Sequence, residues 1–221
     1  RAMKIPKYFW TLFFPKQCPF CGRLIPREER CCKECGPALP WLKTPWNLPG
    51  LDGLFAPFSY EGLAENAVRQ LKFQGKTGRA RSLAPYLAET LNGAQFDCIV
   101  PVPMYWKGLR KRGYNQAGLL APFLGEETGM PVCPALRKCR DTAQQHTLHA
   151  RERRKNLQGA YRVRKGISLK GKSLLLCDDV VTTGSTLLEA AQTLRDAGAA
   201  RVYAVTVCKT ARRGDMPGEV G

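Results

Sequence analysis

Apolar residues gather in two kinds of run along this chain. Short continuous runs at 96–102 and 174–177 read as strands buried on both faces, and 53–60 and 201–208 read as two more. Between them apolar positions recur at helical spacing. The spacing predicts helices over 62–73 and over 77–91, where Leu83, Leu87 and Leu91 share a face. A third runs to about Glu127. A fourth carries Leu187, Leu188, Ala191 and Leu194 on one face, with Gly198 as its stop signal. Strands alternating with helices predict an α/β body: a mostly parallel sheet, helices on both faces, and a ligand at the carboxyl ends of the strands. Pro101 and Pro103 are assigned to a strand end and the loop beyond it, because proline cannot donate to a central ladder.

A chain of 221 residues holds one medium domain and a small one. The expected division is an N-terminal helix and small module over 1–45, the α/β body over 46–210, and a tail over 211–221 whose composition predicts disorder. The aromatic run at 8–14 is too short to span a bilayer and is stopped by Pro15. It reads as a helix docking on the body, so no stable membrane insertion is expected. Cys98, Cys177 and Cys208 sit in apolar strands, which fits a reducing cytoplasm better than a disulfide framework. Charge changes the picture: 35 Lys and Arg against 18 Asp and Glu give a net +17, an excess that points to a polyanionic partner such as nucleic acid.

Within the first module, Cys18 and Cys21 form one C-x-x-C, and Cys32 and Cys35 another. Two such knuckles at this separation indicate a structural zinc site with four thiolates, and the metal would supply folding energy that so short a segment cannot bury. Cys31 is a spare thiol; the spacing favours Cys32.

The densest chemistry lies at 173–187. A buried strand ends in Asp178 and Asp179; Val180 and Val181 follow, then Thr182, Thr183, Gly184, Ser185 and Thr186 open a helix. A glycine turn at a helix N-terminus offers backbone N–H groups and partial positive charge to an anion, most often phosphate, and the hydroxyls add donors. The paired carboxylates suit sugar hydroxyls. A ribose 5-phosphate satisfies both. Upstream, Lys107, Arg110, Lys111 and Arg112 form a basic loop able to grip a pyrophosphate, with Asn115 placed to cap the helix that follows. The span 137–172 is rich in Lys and Arg. Its piece 141–156, with Arg151, Arg153, Arg154 and Lys155, reads as a loop or hairpin that either closes over a reacting sugar or tracks nucleic-acid phosphates. The span 166–173 matches a P-loop expression but runs straight into a strand rather than a helix, so an ATPase reading is rejected. His146 and His149 lack a carboxylate to complete a metal site and read as loop residues.

The strand, acid pair and Thr-Thr-Gly-x-Thr turn resemble the phosphoribosyl pyrophosphate (PRPP) motif of type I phosphoribosyltransferases. That resemblance implies Asp178 and Asp179 on the ribose hydroxyls, residues 182–186 around the 5-phosphate, Arg110 and Arg112 on the pyrophosphate, and Mg²⁺ with PRPP. Thr182 stands where some members carry an Asp proposed as general base. Together with Pro101, Val102 and Pro103, the run 112–116 (Arg, Gly, Tyr, Asn, Gln), the pieces 60–62, 71–73 and 153–156, and the cysteine knuckles, the chain resembles the ComF/GntX family. Tyr114 where Phe is common and Cys177 where Val is common are small departures. The resemblance implies a type I phosphoribosyltransferase fold preceded by a zinc-ribbon-like module, and a cytoplasmic role in natural transformation. It implies handling of single-stranded DNA beside a competence helicase. The alternative is a Mg²⁺-dependent phosphoribosyltransferase of nucleotide metabolism with an unknown acceptor.

Overall fold

A computed structural model describes residues 16–42, 45–73, 78–141 and 159–210. The aromatic run at 8–14, His146, His149, the basic cluster at 151–155 and the tail lie outside the described residues.

The body is one parallel sheet. Its strands are β1 (Gly53–Phe55), β2 (Phe58–Ser59), β3 (Cys98–Pro101), β6 (Ser173–Val181) and β7 (Arg201–Lys209), in the order β1-β7-β6-β3 with β2 also on β7. β1 and β2 follow one another along the same side of β7. The expected single strand over 53–60 is therefore interrupted: Pro57 has no N–H for a ladder, and its carbonyl accepts from the N–H of Leu42 instead. A small antiparallel pair, β4 (Leu136–Lys138) and β5 (Tyr161–Val163), stands apart from the sheet. It forms the described base of the basic segment.

Helices cover both faces, as the continuous burial along the central strands demands. Leu175 and Cys177 of β6 face α1 (Gly62–Phe73), α2 (Gly78–Thr90) and α4 (Gln116–Thr128). Leu174 and Leu176 face α5 (Ser185–Asp196) and the β4–β5 pair. Leu83, Leu87 and Leu91 are all buried in the first layer. The N-terminal cysteine segment builds no core of its own. Its Phe20, fully buried, meets Phe58 and Tyr86 edge-on at 5.5 and 5.6 Å between ring centres. Among the described residues no helix is long and apolar enough to cross a membrane.

The basic stretch after β3, expected as a loop, is a short helix, α3 (Trp106–Arg112). Gly113 ends it in the left-handed region at φ 83°, with its N–H on the Leu109 carbonyl. α4 then starts at Gln116.

Candidate functional site

All the parallel strands deliver their carboxyl ends to one edge, and β6 runs well past β3 there. Pro101, the last residue of β3, pairs with Cys177, whereas β7 stays paired with β6 as far as Val181. Asp178 and Asp179 thus lie within the strand rather than after it, on a stretch that has passed the end of β3. Strand alternation sends them to opposite faces. Asp179 is buried and meets Lys72 Nζ, in the last turn of α1, at 3.1 Å. Asp178 is partly buried on the side of the β4–β5 pair, where it acts on the buried Tyr161 and on Lys138. Burial, then the charge of Asp179, pushes the Asp178 carboxyl up to about 7; the Asp179 N–H, Lys72 and Lys138 pull the other way. Burial in turn lowers the Lys138 ammonium from its ordinary value. A ligand engaging both acids has to sit over the end of the strand, not against one face.

The turn that follows is built around Gly184, at φ 78°. A methyl there would lie 2.5 Å from Leu48 Cδ2, so glycine is required for both space and backbone. Gly184 is the N-cap of α5 and brings no side chain to that end, where the Ser185 N–H donates to Thr183 Oγ1 at 3.4 Å. Thr183 Oγ1 and Ser185 Oγ lie 2.9 Å apart, and Ser185 is buried. Thr182 is exposed and Thr186 half-buried. The arrangement is a cradle of N–H and O–H donors at the positive end of a twelve-residue helix.

The run 112–116 acts as a clamp. Tyr114 Oη donates to the Leu71 carbonyl at 2.7 Å, fixing the end of α1 next to Lys72. Asn115 occupies the N-cap of α4, but its side chain does not cap; Nδ2 donates to the Val102 carbonyl at 2.9 Å and ties α4 to the exit of β3. Of the α3 cations, the Arg110 guanidinium lies over the Trp106 ring at 5.3 Å, and Lys107 pairs with Asp141 at 3.7 Å. Arg112 is half-buried.

At the other end, the Sγ atoms of Cys18, Cys21, Cys32 and Cys35 all lie within 4.8 Å of one another, and those of Cys21 and Cys32 are 3.7 Å apart. Four thiolates at about 2.3 Å from zinc stand about 3.8 Å apart in a tetrahedron, so the donor set fits that ion. The Cys35 N–H, donating to Cys32 Sγ at 3.4 Å, is the main cause that brings the Cys32 thiol down to about 7. Cys31 is outside the cluster and lies beside the buried Tyr86 phenol.

The family model for the phosphoribosyl transferase domain matches residues 108–219. The chain belongs to that family. DNA utilization protein YhgH of Salmonella typhimurium is 34% identical over 206 residues, covering 87% of this chain and 90% of that protein. Competence protein F of Haemophilus influenzae is 29% identical over 192 residues, covering 83% and 81%, and Competence protein ComFC of Bacillus subtilis is 26% identical over 203 residues, covering 87% and 78%. These relatives make it a phosphoribosyltransferase-domain protein of the ComF/GntX group, with the type I fold and a cysteine cluster ahead of it. The match to the phosphoribosyltransferase domain begins in α3, so Lys72, which pairs with an acid of the edge, comes from outside it. Sequence reasoning reached Lys72 only as part of the piece 71–73 and Lys138 only among the cations of 137–172, gave neither a role beside the acids, and did not single out Tyr161. The one available signal was Lys72 between Leu71 and Phe73 at a helix end; nothing local marks a lysine on a three-residue strand.

Proposed function

We propose that this ComF-type protein binds PRPP with Mg²⁺ over the carboxyl edge of its sheet and serves DNA uptake, engaging single-stranded DNA in the cytoplasm beside a competence helicase. The observation that carries the ligand reading is the acid pair overhanging β3 beside the glycine turn at the N-terminus of α5. Asp178 and Asp179 hold the ribose hydroxyls. The N–H groups and hydroxyls of Thr182, Thr183, Gly184, Ser185 and Thr186 take the 5-phosphate, and Arg110 and Arg112 the pyrophosphate. Mg²⁺, when bound, offsets charge between ribose and pyrophosphate oxygens. Cys18, Cys21, Cys32 and Cys35 hold a structural zinc. Relatives named for competence and DNA utilization, and the net charge of +17, support the DNA role, with Arg151, Arg153, Arg154 and Lys155 as contacts.

A second reading, turnover of PRPP with an acceptor, is favoured by one observation. Asp178, with a pKa near 7, can carry or accept a proton at neutral pH, which Thr182 cannot. Calorimetric titration of Mg²⁺-PRPP into wild type and the Asp178→Asn/Asp179→Asn double variant tests the site. Saturable binding lost in the variant is expected. Absence of binding by folded, zinc-loaded wild type would leave the motif as scaffold and the DNA reading in the lead.

A further inference from the structure

Arg79 sits where an arginine is costly. It lies in the first turn of α2, the positive end of the helix dipole, and is 6% exposed. No carboxylate answers it: among the described residues Arg79 is in no ion pair. Its Nη1 donates to the carbonyls of Cys18 and Pro19, while Nε and Nη2 are buried with no hydrogen-bond partner. A buried guanidinium met only by carbonyl dipoles leaves its charge uncompensated.

The group it lies against is the cysteine cluster. One of its carbonyl partners belongs to Cys18. A methyl on Gly22, the residue after Cys21, would stand 3.1 Å from Nη2, so the guanidinium fills the space that glycine leaves beside the first knuckle. Nη1 on the Cys18 carbonyl and Nη2 against Gly22 set the guanidinium beside Cys18 and Cys21, two of the four clustered sulfurs. Zinc held by four thiolates carries a net charge of about −2. Two disulfides in the same place would be neutral and give the buried cation no partner. Arg23, also beside the knuckles, is exposed and paired with Glu34.

On the zinc reading above, we infer that Arg79 is the built-in counter-cation of a dianionic tetrathiolate zinc centre, reaching the first knuckle from α2 and coupling metal loading to docking of the cysteine segment on the phosphoribosyltransferase body. Arg79 touches no metal; it is a positioning residue that acts through charge and through the Cys18 and Pro19 carbonyls.

The full chain is loaded with one zinc, and transfer of the metal to a chromophoric chelator gives its affinity for wild type, Arg79→Gln and Arg79→Lys. Arg79→Gln is expected to weaken zinc binding by about tenfold or more, and Arg79→Lys to stay within about threefold of wild type. Melting should show the Arg79→Gln loss in the zinc-loaded protein and a smaller one in the metal-free protein. Equal loss in both, with zinc affinity unchanged, would reduce Arg79 to packing and overturn the inference. So would equal zinc loss in both variants. Should Arg79→Gln not fold, hydrogen exchange on wild type decides: the first turn of α2 gains protection when zinc is added, and unchanged protection there overturns the coupling. Wild type that binds no zinc removes the zinc reading itself, and the inference with it.

Discussion

At the scale of single residues, Asp178 is where burial and charge conflict most. Its folded-state pKa of about 7 stands against an ordinary 3.8. The folded protein therefore holds this proton more tightly than the unfolded chain does. The cost of ionising Asp178 in the fold is absent below about pH 4, grows as pH rises toward 7, and is fully present above it. Asp178→Asn removes a charge that the fold disfavours. Its melting temperature is expected to match wild type at or below about pH 4 and to exceed it at pH 8, the gap opening through the window between. A gap independent of pH would mean that Asp178 titrates as an ordinary surface acid. Adjacency of the two acids is plain from the sequence. That Asp179 is paired with Lys72 while Asp178 is left with the distant help of Lys138 depends on which helix and which strand pair cover each face.

At the scale of elements, the turn between β6 and α5 joins strand geometry to the proposed phosphate cradle. Gly184 is left-handed and packed against Leu48, itself 8% exposed. Gly184→Ala forces a side chain into a backbone region it disfavours, at about 1–3 kcal/mol, and makes a buried leucine turn aside. Urea denaturation should register a loss in that range, and Mg²⁺-PRPP affinity should fall with it because the α5 N–H groups move. An unchanged midpoint would show that the turn is not constrained as described. The helical period announced α5 and the strand that feeds it. It did not announce α3, because a seven-residue basic helix has no apolar face to repeat; its end, at a left-handed Gly113, is visible only in the folded chain.

At the scale of the whole molecule, the proposed DNA role and the net charge of +17 call for a surface that meets nucleic acid. α3 presents one with a base-sized feature: Trp106 is 49% exposed, packs on Tyr105 at 5.7 Å, and lies beside Lys107 and Arg110. Exposed aromatics flanked by cations stack nucleobases while the cations meet phosphates. An oligo-dT should bind with affinity that falls steeply with salt. Trp106→Ala should weaken it by about tenfold, a stacking contribution on the order of 1–3 kcal/mol, without altering the salt slope, since no charge is removed. Fluorescence anisotropy across a salt series reads both. Unchanged affinity in the variant would exclude Trp106 from the interface.

What the sequence determined is what backbone periodicity and short-range chemistry determine: strand and helix alternation, hence the parallel sheet; the acid pair and glycine turn, a local unit at one strand end; the two C-x-x-C knuckles, whose four sulfurs lie within 4.8 Å of one another. Tertiary structure decided the rest, because it concerns charges whose partners are far away along the chain. Lys72 reaches Asp179 only when α1 packs on the sheet, Asn115 bonds across to β3 instead of capping its own helix, and Arg79 meets a carbonyl 61 positions earlier because α2 carries it beneath the cysteines. Solvent would screen or hydrogen-bond each of those polar groups in an open chain. Burial removes the solvent, and the neighbour that then stands closest is set by packing rather than by any pattern a short window of residues can hold.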